Sequence, residues 1–148
     1  MEKLLLYTEK YGPIASSILA VVVWILLCAP FPSKPSDILI SSISFGAIVT
    51  GFLSTTEGIL LTINPRSTLV TKLYNSKQFI AIISYLAHAV RVGILFSVLS
   101  MVMLIDKHLS SIKGMQILWI FLAALLVFSF FRITEIIIKI LKLPPNLR

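Results

Sequence analysis

Four apolar runs of about bilayer-crossing length dominate this chain and leave it few ways to fold. They cover about residues 12–29, 37–63, 79–105 and 115–141. A spanning helix needs about 20 mostly apolar residues, and backbone polar groups in lipid must be satisfied within the helix itself. The reading that follows is an all-α, polytopic membrane protein with four transmembrane helices. Composition agrees: 57% of the 148 residues are hydrophobic and 13% charged, against about 25% charged in a soluble domain. No hydrophilic stretch is long enough for a second domain, so residues 1–148 read as one membrane domain.

The links between runs carry the orientation signal. Lys3, Lys10, Arg66, Lys72, Lys77, Lys139, Lys142 and Arg148 fall on the side of the two termini, whereas Lys34, Lys107 and Lys113 fall on the other. Short basic loops stay in the cytoplasm, which predicts both termini inside. The net charge of +7 is scattered over these loops with no basic face or motif, so nucleic acid is not an expected partner. The single cysteine, Cys28, excludes an intramolecular disulfide and a cysteine zinc cluster. Leu26-Leu27-Cys28 offers neither the small residues of a signal-peptide site nor those of a lipoprotein site.

Local signals set the expected boundaries. Pro13 suits the first turn of the first span, and Trp24 an interfacial anchor. Pro30, Pro32 and Pro35 make a rigid connector, and Ser36 or Asp37 offers the next N-cap. Asn64-Pro65 ends the second span. Leu69, Val70, Leu73 and Tyr74 in the basic Asn64–Lys77 link suit a short surface helix. Asp106–Gly114 reads as a turn, and Pro144-Pro145 as the stop of the fourth span.

The second span, Ser41–Ile63, is the least apolar, rich in Ser, Thr and Gly, and carries Glu57. Such a segment is expected at the centre, with the other helices packed on it. Gly51, Ser54, Thr55 and Gly58 follow one another at three- and four-residue steps, a pattern that lets helices approach closely in lipid. The partner is another span or a second copy. Because four spans enclose little interior, a homo-oligomer is favoured.

Five ionisable residues fall within spans: Glu57, His88, Arg91, Arg132 and Glu135. A charge at mid-bilayer costs at least about 2.5 kcal/mol on insertion scales, so each is expected to find a partner. His88 and Arg91 share a face with Ser84, and Arg132 and Glu135 are three apart on another helix. Glu57 is left for Arg91, in the same subunit or across an interface. The bland role for this cluster is to fix helix register; the sharper one is an ion or proton path or gate. Serines within the spans are expected to bond back to their own helix. No nucleophile elbow, phosphate loop or HExxH is present. An enzyme is therefore not expected, nor a cofactor or metal.

The stretch Gly51–Leu86, with GFLSTTEGILLTI, a short basic link and then SKQFIAIISYL, resembles small membrane proteins of bacterial anti-phage systems. Examples are the membrane component of Kiwa and the membrane domains of CRISPR-associated effectors. The resemblance implies a homo-oligomeric inner-membrane effector or sensor that monitors or perturbs the membrane with a cytoplasmic partner. Arg66, Lys72, Lys77, Lys139 and Lys142 would meet that partner, or anionic lipid. The chain differs from the CRISPR-associated type in lacking a soluble sensor domain. Small multidrug-resistance transporters fit less well, since they rest on an acid in the first span and none lies between Pro13 and Ala29. A small channel, a proton-coupled transporter and a non-catalytic assembly subunit are the alternatives.

Overall fold

A computed structural model describes residues 2–27, 31–32, 35–62 and 77–141. They form four long helices and one short one: α1 (Glu2–Leu26), α2 (Pro35–Thr62), α3 (Lys77–Ile105), α4 (Lys107–Ser111) and α5 (Lys113–Leu141). Among the described residues there is no strand. Three helices, α2, α3 and α5, are long and apolar enough to cross a membrane; the apolar part of α1, Gly12–Leu26, is shorter. Large apolar side chains such as Leu19, Ile48, Leu95, Ile105 and Phe131 are exposed on the outside of these helices, the surface expected of a helical membrane protein.

Several boundaries differ from the sequence reading for definable reasons. Helix α1 begins at Glu2, so Pro13 lies in its interior rather than in its first turn. Membrane helices tolerate such a proline, and one turn on the Ser17 hydroxyl bonds back to the Pro13 carbonyl at 2.6 Å, as serines within helices commonly do. Helix α2 opens on Pro35 itself, placing Ser36 and Asp37 inside the first turn. The expected turn at Asp106–Gly114 contains helix α4, capped by the Asp106 carboxylate accepting from the His108 N–H at 2.9 Å. Cys28, the 63–76 link and the 142–148 tail lie outside the described residues.

The packing order corrects the expectation that the second span is central. Helix α2 packs along α3, α3 along α5 and α5 along α1, while α2 only grazes α5. The middle of the molecule is therefore α3 and α5. The core confirms this: Leu86, Ala89, Val92 and Phe96 of α3 and Leu125, Leu126 and Ile133 of α5 are buried together, with Val49 and Leu53 supplied by α2. A span rich in hydroxyls can lie at the edge because most of those hydroxyls are already spent. Ser41, Ser42, Ser44, Thr55 and Thr56 each donate to the carbonyl four residues earlier, at 2.6–3.2 Å. A hydroxyl bonded to its own helix has little polarity left to hide from lipid.

Small residues do build a close crossing, but not the ones the spacing singles out. A Cβ added at Gly46 would collide with the Ser97 hydroxyl, and one at Gly93 with the Thr50 hydroxyl. The two helices thus pass glycine against hydroxyl twice, reciprocally. Both hydroxyls are buried without a hydrogen-bond partner, in position for the weak Cα–H···O contacts common where helices nearly touch. Ser97 is thus an exception to the expected back-bonding, which Ser100 obeys by donating to the Phe96 carbonyl at 2.8 Å. By contrast Gly51 and Gly58 have open space where a Cβ would sit, and Ser54 and Thr55 are exposed.

Candidate functional site in the α1–α3–α5 cavity

At the end of the bundle nearer the termini, α1, α3 and α5 leave a cavity of about 210 Å³. Its origin is local. Gly12 and Pro13 present little side-chain bulk from α1, while Arg132 on α5 requires room for a guanidinium. That guanidinium lies 5.2 Å from the centroid of the Tyr85 ring on α3, within cation–π range. It also runs beside the α1 backbone, since a Cβ on Gly12 would stand 3.6 Å from Arg132 Nη1. Ser84, His88 and Ser129 add polar groups to the wall, and Ile14, Leu125, Ile133 and Ile136 make the rest apolar.

The cavity gathers two of the five intramembrane ionisable residues, His88 and Arg132, and leaves out three. Glu135 is exposed on α5 and forms no ion pair with Arg132, although three residues separate them. Arg91 is exposed as well. It stands two positions before Gly93, which faces α2, so on a helix of 3.6 residues per turn it leaves α3 on the far side. Glu57 is half-buried. Four residues after Leu53 and three before Leu60, it shares the face that α2 turns toward the core. Glu57 and Arg91 therefore lie on opposite sides of α3, and within one chain that pair is not made. Among the described residues no ion pair joins any of the five.

Of the basic loop and tail positions, Arg66, Lys72 and Lys142 lie outside the described residues, while Lys77 and Lys139 occupy the first turn of α3 and the last turn of α5. Tyr85, Pro13 and Ile14 were not legible as site residues. Ser84 to His88 and Ser129 to Arg132 do show the spacing of a shared helix face, a usable hint once α3 and α5 are known to be neighbours. Among the described residues no cluster of His, Cys, Asp or Glu has the makings of a metal site.

Toward the opposite end, Trp119 of α5 donates its indole N–H to the Ser100 hydroxyl at 2.9 Å. Its ring meets Phe96 at 5.7 Å and Phe31, between α1 and α2, at 5.8 Å. This aromatic plug ties Phe31 and α3 to α5.

Comparison with known proteins returns no match. No family model, no curated protein and no solved structure corresponds to the chain.

Proposed function

We infer that the chain is a non-catalytic, self-associating component of a bacterial inner membrane, with four spans and both termini in the cytoplasm. The observation that carries this reading is the outer face of α2. Gly51, Ser54, Thr55 and Gly58 turn away from the rest of the chain, with open space above both glycines. A small-residue stripe of this kind has value in lipid only when a second helix lies in it. Arg91, without an acid partner among the described residues, supports the same reading, because an exposed cation within a span is costly until an acid or a head group reaches it. A second copy can offer Glu135, which is exposed. As a sensor or effector, such an assembly would receive its signal through the basic 63–76 link and the tail, the surfaces implied by the resemblance to anti-phage membrane components.

Cysteine cross-linking tests the interface. In a Cys28→Ser background, Thr55→Cys is expected to yield disulfide-linked dimers in the bilayer, whereas Leu19→Cys on the outer face of α1 yields none. Equal cross-linking at the two positions, or none at Thr55, overturns the assignment. A channel is the second reading, favoured by His88 and Arg91 sharing one face of α3. Ion flux through liposomes that contain only this protein would select it, and Arg91→Ala would then reduce the flux.

A further inference from the structure

We propose that the α1–α5 seam binds one anionic phospholipid, its phosphate against Arg132 and one acyl chain lying toward the opposite end of the bundle. Three observations carry this, and none depends on self-association. The first is the cation itself. Among the described residues Arg132 has an aromatic ring beside it but no acid, and it stands on the wall of a 210 Å³ hollow beside Ser129. A guanidinium presents a planar fork of donors that matches phosphate in two-pronged fashion.

The second observation is depth. Nineteen residues separate Lys113, at the start of α5, from Arg132. At 1.5 Å per residue this is about 29 Å, close to the roughly 30 Å of the hydrocarbon layer. With Lys113 at one edge of the hydrocarbon layer, Arg132 stands at the other, from where its long side chain can reach a lipid phosphate.

The third is the hollow further along the same seam. Ile18, Val21 and Val22 of α1 and Gly114, Ile117, Leu118 and Phe121 of α5 border a largely apolar groove of about 260 Å³. From Arg132 to Phe121 the helix rises about 16 Å, roughly one leaflet. Between the hollows the seam narrows where Ser17 is fully buried; the acyl chain crosses that waist and settles in the groove. A head-group site and a tail groove at these depths on one seam fit an amphiphile better than a free anion.

The test uses the full chain in phosphatidylcholine nanodiscs doped with phosphatidylglycerol, with retained lipid counted by native mass spectrometry. Wild type is expected to retain phosphatidylglycerol over phosphatidylcholine by about tenfold, because both offer Arg132 a phosphate but phosphatidylcholine brings a cation of its own beside the guanidinium. Arg132→Gln should bring the two lipids near parity, whereas Arg91→Gln, a cation outside the cavity, should leave the preference intact. Loss of preference in both variants would mean general charge attraction and overturn the site. Release of the lipid by millimolar inorganic phosphate would show a free-anion site and overturn the lipid assignment. If Arg132→Gln does not insert, Val22→Trp decides. It fills the groove and should lower retention of both lipids, so unchanged retention there refutes the proposal.

Discussion

The two outer seams of this molecule are made by helices of similar composition, yet one is shut and the other hollow. Where α2 meets α3, Gly46 and Gly93 admit Ser97 and Thr50, and the backbones come close enough that no added Cβ would fit at either glycine. Where α1 meets α5, the helices pack along one another but leave two hollows, one beside Pro13 and Arg132 and one among large apolar residues. Close approach in lipid depends on matched small residues and van der Waals contact, because no hydrophobic force separates helix from acyl chain. Where that match is missing, hollows remain between helices that otherwise pack side by side. The contrast gives α2–α3 the tighter crossing, and the lipid proposed above would occupy the hollows of α1–α5.

The contrast is most directly broken at Gly93. Gly93→Leu forces a side chain into Thr50 and Leu126, and should lower stability by about 3 kcal/mol or more, the upper end of overpacking costs. Unfolding in mixed micelles with α-helical circular dichroism measures it, and a change of less than half a kcal/mol would mean the seam is not tight. Second in size is the aromatic plug. Trp119→Phe removes the indole donor to Ser100, with an expected loss of about 1 kcal/mol. Ser100→Ala should then cost little more in that background, and additive losses in the double mutant would show that the bond is not shared between them.

On the hollow side the expected effects are smaller. Tyr85→Leu removes the ring beside Arg132, worth about 0.5–1 kcal/mol for a cation–π contact at a partly exposed site. The same assay reads it, and a loss matching that of Gly93→Leu would mean that this seam holds the fold as well. Last comes Gly51→Ala on the outward face of α2. With open space at the site, monomer stability should stay within about 0.5 kcal/mol, as for surface substitutions generally. Any effect should appear instead in dimer cross-linking through Thr55→Cys.

How far the sequence reaches depends on whether a signal is local. Helical class, the approximate ends of α2, α3 and α5 and their capacity to cross a bilayer were legible, because each follows from a continuous apolar run and its proline or charged flanks. Which helix lies in the middle was not. The Ser, Thr and Gly content of the second span suggested centrality, and the back-bonded hydroxyls of Ser41, Ser42, Ser44, Thr55 and Thr56 explain why that inference fails. Likewise the stripe at Gly51–Gly58 is visible in the spacing, whereas Gly46 and Gly93 acquire their importance only from each other across the crossing.

Charge shows the same division. That Glu57, His88, Arg91, Arg132 and Glu135 lie within spans is a property of the string of residues. That Arg132 shares a cavity with His88 while Arg91 and Glu57 part to opposite sides of α3 is a property of helix rotation. A shift of one residue rotates a helix by about 100°, and only packing against a neighbour fixes that angle. Apolar length alone settled that this chain belongs in a bilayer; the rotation of each helix about its axis, set by contacts far apart in sequence, decided which side chains meet.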